Sequence, residues 1–254
     1  MRKFILWNGD KTSSFDFNTQ NAPVIDVDGL GISYIVKKSN GRVVGYERDF
    51  DPINLKIYFG VGANAYTCFS DFASFIASNG KSNFILEYQV DSKTLFTNVW
   101  VKKLPKGQKT GFGTIEETLT LERVSNWYTL QSGSIPTSPD GAGIENLVFD
   151  DLPINLEFVS TTGVGTVEVS MKQGSTLISK IQLSIQANET IQISAEEKTI
   201  TVFLSGAESN GYTRTNKTYD SFLIAEKGIY SLSITANTTI PSTVTYSYKK
   251  WVLD

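Results

Sequence analysis

Apolar residues recur at every second position through most of this chain. Phe4 and Leu6 alternate with Ile5 and Trp7, Phe15 and Phe17 share one face of SSFDFN, and Leu55, Ile57 and Phe59 share one face of INLKIYFG at 53–60. A period of two sends successive side chains to opposite sides of an extended backbone, so each run reads as a strand with one buried face. GISYIVKKS (31–39) and GRVVGYERDF (41–50) flank Asn40-Gly41, a dipeptide that supplies the positive φ a tight hairpin turn requires. NFILEYQV (83–90), TLFTNVWVKKL (94–104) and IEETLTLERV (115–124) continue the series.

One segment departs from it. In NAYTCFSDFASFIASNG (64–80), Phe69, Phe72, Ala73 and Ile76 recur at helical spacing. The pattern predicts a helix over about 65–78, with Tyr66, Phe75 and Cys68 at the edges of its apolar face. Asn64 or Thr67 is the expected N-cap, and Asn79-Gly80 the expected left-handed stop.

QSGSIPTSPDGAG (131–143) is rich in Gly, Ser and Pro without periodicity, and is the expected linker. Beyond it, turn signals separate short strands in a spacing that suits a two-sheet sandwich over 144–240. A last strand at 241–254, with Val244, Tyr246 and Tyr248 aligned, is expected to return to the first lobe. The fold class is therefore mainly β: an N-terminal β lobe over 1–130 bearing one helix, and an all-β C-terminal lobe.

Composition narrows the chemistry. A net charge of -3, from 26 acidic and 23 basic residues, gives no general electrostatic reason to bind nucleic acid or an anionic membrane. Cys68 is the only cysteine, which excludes an intramolecular disulfide and a Cys-rich zinc site. The opening MRKFILWNGD holds only a short apolar run and no stretch approaches a membrane span of about 20 residues. Neither a signal peptide nor a membrane anchor is expected, and synthesis is placed in a reducing cytoplasm. The sequons at Asn188, Asn216 and Asn237 are then chance matches.

The chain has no histidine, so Ser-His-Asp and Cys-His catalysis are impossible and the usual near-neutral acid/base group is missing. Asp26-Val27-Asp28-Gly29 begins like a calcium loop but places its glycine too early and Leu30 and Ile32 at later ligand positions. Glu47, Asp49 and Asp51 fall on one side of an extended chain, the arrangement a carboxylate glycosidase needs, yet beside Arg48 and Pro52 they read as a solvated rim. Glu116-Glu117 and Asp150-Asp151 point to opposite faces, which suits solubility. Neither GLG at 29–31 nor KGQKTGFG has the spacing of a nucleotide loop. No cofactor is expected. Lys102, Lys103, Lys106 and Lys109 form a local positive patch, either a solvated loop or a contact with nucleic acid or an acidic neighbour. A carbohydrate-binding sandwich is the alternative that composition leaves, with Trp127, Trp251 and Tyr212 as stacking candidates.

LERVSNWY, closing the first lobe before a linker, resembles the end of the N-terminal domain of siphophage distal tail proteins. MRKFILWNGD, GLGISY, FSDFASFI and the terminal KKWVLD are similar to the same family in the same order, over essentially the whole chain. The resemblance implies a structural virion protein of the tail tip or baseplate rather than an enzyme. It implies a homo-hexameric ring made by the N-terminal domains, continuing the tail tube around a channel that DNA traverses. The ring would lie between the last tail-tube ring, or a terminator-side ring, and the tail-associated lysin or fibre hub, and would anchor upper baseplate proteins. It also implies a galectin-like C-terminal sandwich; the galectin pocket uses a histidine that this chain lacks.

A ring needs two different complementary patches on each subunit. The apolar edge around Ile32, Tyr34 and Val36 and the strand Leu95–Val101 are candidates, and the four lysines are candidates for the channel or an acidic partner. Trp127 and Tyr128 either form a seam with Trp251 and a neighbouring subunit or complete the core of their own lobe.

Overall fold

The structure, a computed structural model, describes residues 2–31, 33–39, 42–80, 83–104, 110, 113–135, 141–147, 151–160, 165–216, 222–236 and 243–252. It divides into two compact units, Met1–Thr129 with Val252–Asp254, and Leu130–Trp251.

In the first unit the chain runs through β1 (Lys3–Asn8), β2 (Ser14–Asp16), β3 (Val24–Asp28), the pair β4 (Ser33–Ser39) and β5 (Arg42–Asp49), then β6 (Ile53–Phe59). The helix α1 (Ala65–Asn79) follows, then β7 (Phe84–Val90), β8 (Lys93–Lys103) and β9 (Ile115–Arg123). The antiparallel sheet has the order β2-β1-β7-β8-β9-β6-β3. Its inward residues obey the sequence alternation: Ile53, Leu55, Ile57 and Phe59 of β6 are all fully buried. α1 lies against this face, where Phe72 contacts Phe15 at 4.7 Å and Phe17 and Phe59 at 5.5 Å between ring centroids.

The helix begins where the spacing predicts. Asn64 caps it, its side-chain oxygen accepting from the amides of Tyr66 and Thr67 at 3.0 and 3.3 Å. Two expectations need correction. Gly80 has φ -71, so the helix ends without a left-handed residue; glycine is wanted there because a side chain would press on the Ile76 carbonyl. The buried stripe is Ala65, Cys68 and Phe72, flanked by Phe69, Phe75 and Ile76, which puts Cys68 inside the packed face and leaves Tyr66 58% exposed. A periodicity count centres the stripe on Phe69 because it does not weigh a small residue such as Ala65 that sits directly over the sheet.

The predicted linker is shorter than its composition implies. β10 (Tyr128–Ser134) extends through Gln131–Ser134 and carries the chain into the second unit, and Ile135 is buried. Pairing along a neighbouring strand outweighs the weak strand preference of QSGS.

The second unit contains β11 (Ala142–Asn146), β12 (Leu152–Val159), β13 (Gly165–Gln173), β14 (Thr176–Ile185), β15 (Glu189–Ser194) and β16 (Thr199–Leu204). It continues with β17 (Ala207–Asn210), β18 (Ile224–Ala225), β19 (Gly228–Ala236) and β20 (Thr243–Trp251). One sheet has the order β17-β16-β15-β12-β20-β10, the other β11-β19-β13-β14. Phe158, Val169, Leu183, Ile191 and Leu232, drawn from both sheets, are buried in a single core, as a sandwich requires. The last strand differs from expectation. β20 pairs with β12 and lends Val244 and Tyr248 to this core, and only from Val252 does the chain group with the first unit.

Candidate functional site

β4 and β5 pair with each other, Val36 opposite Tyr46 and Lys38 opposite Val43, and among the described residues with no other strand. The register puts Val36 and Val43 on one face, and they are 43% and 50% exposed. Lys37, Lys38, Ser39 and Arg42 are exposed beside them. A lone two-stranded hairpin has open edges on both sides and is marginally stable in water, so this element is an arm that lacks a partner within its own sheet. Of the sequence candidates for this edge, Val36 lies on the exposed part of the arm, Tyr34 lies in β4, and Ile32 falls outside the described residues.

The feet of the arm are held tightly. Gly29 has φ +80, and a side chain there would collide with the Pro52 carbonyl, so only glycine lets the strand entering the arm approach the one leaving it. Arg123, at the end of β9, is 2% exposed. Its guanidinium donates to the carbonyls of Leu30 (3.0 Å) and Gly31 (2.6 Å), and sits 5.0 Å from the ring centroid of Phe50. One side chain thus touches the residues just before β4 and the residue just after β5. Burial pulls this guanidinium below the usual arginine range, against the charge of Asp51.

Trp127 joins the same node. Its indole N–H donates to the Leu30 carbonyl at 2.8 Å, its ring lies 5.9 Å from that of Tyr88, and its own carbonyl accepts from Val252 at 2.9 Å. Tyr128 stacks on Phe96 at 5.8 Å, its partner in the β8–β10 pairing. Both aromatics are almost fully buried in the first unit. Between β9 and β10, Val124 and Ser125 are tied to β8: the Val124 amide donates to the Asn98 carbonyl and the Ser125 hydroxyl accepts from the Asn98 backbone amide. Trp127 therefore belongs to the core of its own lobe, and Tyr128 packs on Phe96 of the same unit. Trp251 is half-buried against the core of the second unit.

β8 pairs with β7 over Lys93–Val99 along one edge and, along the other, with β10 at Phe96 and with β9 from Val99 onward, with Leu95 and Val99 buried, so most of Leu95–Val101 is already paired within its own sheet. Lys102 and Lys103 are exposed at its end, Lys102 in an ion pair with Glu122 at 2.7 Å. Lys106 and Lys109 lie outside the described residues. Asp49 and Asp51 are exposed, as a rim would be.

Glu116 and Glu117 do point to opposite faces, but Glu117 is buried rather than solvated, and Arg123, which the sequence does not single out as functional, is buried with it. Both sit at inward positions of β9, in register with Ile115, Leu119 and Leu121, and that register was the available signal. Glu117 is 5% exposed and its Oε1 has no hydrogen-bond partner among the described residues. Burial pushes its carboxyl above the ordinary 4.5. A raised carboxyl pKa means the folded state holds the proton more tightly than the unfolded chain, so the stability it contributes is present below the unfolded pKa and lost as pH rises through the folded one. Glu117→Gln should therefore flatten part of the pH dependence. Urea unfolding at about pH 4 and pH 8 is expected to show a smaller loss of stability on alkalinisation in the variant than in the parent.

In the second unit, the solvent face of β10, β20, β12 and β15 forms an open groove of about 570 Å³. Ser132, Ser134, Asn155, Glu157, Gln192, Thr245 and Ser247 contribute to its lining. Asn155 lies opposite Ser247 and Glu157 opposite Thr245. Asn155 Oδ1 accepts from the Ala195 backbone N–H at 2.9 Å, and Glu157 Oε2 accepts from the Gln192 side-chain Nε2 at 2.8 Å. These bonds fix a donor nitrogen and an acceptor oxygen two residues apart on one face.

Residues 3–124 match the model of the distal tail protein N-terminal domain. The fold is similar to that of a chain in the phage p2 baseplate in its activated conformation with Sr, at 15% identity and TM-score 0.71, covering 99% of each chain. The form with Ca gives 14% identity and TM-score 0.71 with the same coverage. The SPP1 Dit protein, described as a paradigm of hub adsorption apparatus in Gram-positive-infecting phages, is similar at 12% identity and TM-score 0.58, covering 98% of this chain and 99% of that one. No curated protein matches the sequence.

Proposed function

The chain belongs to the distal tail protein family by its N-terminal domain, residues 3–124, and on that footing we propose that it is a non-catalytic structural hub of a siphophage tail tip. Six copies close into a ring through their N-terminal units and continue the tail tube around a channel for phage DNA. The ring joins the tube, or a terminator-side ring, to the tail-associated lysin or fibre hub and to upper baseplate proteins. The second unit, a galectin-like sandwich in this reading, is a platform for those peripheral partners. The family membership and a likeness to a p2 baseplate chain over 99% of both chains support a place in the virion.

The observation that carries the ring is the β4–β5 arm, whose open edges and exposed Val36 and Val43 ask for a surface that its own sheet does not supply. A neighbouring copy provides one in a head-to-tail contact, which closes when the rotation between subunits does. Trp127 acts indirectly, through the Leu30 carbonyl at the foot of the arm, and Tyr128 packs on Phe96 of β8. Lys103, with Lys106 and Lys109 from the same segment, remains the patch for an acidic partner or the channel, Lys102 being offset by Glu122. Light scattering tests this reading. A mass six times the 28.1 kDa chain is expected, and a monomer at every concentration, alone and with its tail neighbours, contradicts it.

A second reading, carbohydrate binding for host attachment, is favoured by the polar groove, whose fixed donor and acceptor beside two cross-strand hydroxyls suit a sugar ring. Immobilised neutral glycans should then retain the protein and lose Asn155→Ala. Equal behaviour of the two proteins ends that reading.

A further inference from the structure

We infer that Arg123, with Trp127, is a positioning clamp that sets the arm for assembly, an inference that rests on the ring reading for its consequence but not for its geometry. The feet of the arm would otherwise be two backbone segments meeting at Gly29 and Pro52, a pivot about which a two-stranded element swings. Three features remove that freedom. The Arg123 fork binds the carbonyls of two successive residues, Leu30 and Gly31, which fixes the direction of the entering segment as well as its place. The same guanidinium lies near the face of Phe50 on the leaving segment, so entry and exit are tied through one planar group. Trp127 adds a second donor to Leu30 from a ring held in the core. An arm ordered before it meets its partner loses less conformational freedom on binding, so the clamp acts on association rather than on the fold alone.

The position of these groups argues against a role only in stability. A buried guanidinium costs desolvation, and its Nε has no hydrogen-bond partner among the described residues. An apolar side chain at this inward site, in line with Leu119 and Leu121, would satisfy the core equally well. What it would not supply is the pair of bonds to the arm.

The test compares the full-length protein with Arg123→Met, Arg123→Lys and Trp127→Phe. Two quantities are read: hydrogen exchange of the β4–β5 amides, and the concentration midpoint of ring formation by sedimentation. Arg123→Met is expected to accelerate exchange in the arm while amides of β6 and β9 stay protected, and to raise the assembly midpoint about tenfold or more. Arg123→Lys, which keeps the charge but not the fork, should recover part of both, and Trp127→Phe should shift both in the same direction by less. Unchanged arm exchange in both Arg123→Met and Trp127→Phe overturns the clamp. If Arg123→Met does not fold, Trp127→Phe decides by the same readouts. A parent protein that never forms rings would count against the hub reading, while the exchange comparison would still judge the clamp.

Discussion

Replacing Val36 and Val43 together by aspartate is expected to give a folded protein that no longer assembles. Both side chains stand on the exposed face of an arm that pairs with no other strand among the described residues, at 43% and 50% exposure, so neither is needed by the core. Surface changes of this kind usually move stability by no more than about 0.5 kcal/mol. In a ring contact the same carboxylates would have to be desolvated against a neighbour, at a cost of several kcal/mol per ion. Sedimentation should therefore find monomers across the range in which the parent forms rings, and the melting temperature should be nearly unchanged. A variant that melts early has lost its fold instead, and one that assembles like the parent removes the arm from the interface.

Trp127→Ala should act in the opposite way, on the fold first. The side chain is 2% exposed, packs beside Tyr88 and holds the Leu30 carbonyl. Truncating a buried tryptophan to alanine costs about 3–5 kcal/mol, the lost burial and the cavity together. Denaturant unfolding is the measurement. Trp127→Phe keeps most of the bulk and loses the N–H bond, for which about 1 kcal/mol is the usual size. Near-equal stability of Trp127→Ala and the parent would contradict the core assignment of this residue.

Trp127 and Arg123 also mark how much of the molecule is legible in the sequence. The alternation of Leu55, Ile57 and Phe59, the helix after Asn64 and the two-sheet character of the C-terminal lobe follow from period, cap and turn spacing, which are local properties of the chain. Trp127 was visible as an aromatic placed where a strand ends, but its role was not, because its acceptor is the backbone carbonyl of Leu30, a group every residue carries. The Arg123 clamp was hidden for the same reason, and because a charged residue at an inward position reads as an error in the pattern until its partners, 92 and 93 residues away, are known. Strand order was likewise out of reach. That β4–β5 stands apart from the sheet is a statement about missing partners, and alternation reports only that a strand has two faces. Gln131–Ser134 reads as loop from its residues and is strand because a neighbour pairs with it.

The arm itself supplies the most direct measurement. Cys68, the only cysteine, is buried, so Val36→Cys creates a single accessible thiol for a photoreactive benzophenone label. Irradiating the assembled protein should give a ladder of covalent species ending at six chains, with each cross-link joining the arm of one copy to the N-terminal unit of the next. Cross-links confined to single chains, from material whose mass is that of the ring, would show that the arm is not what holds the copies together.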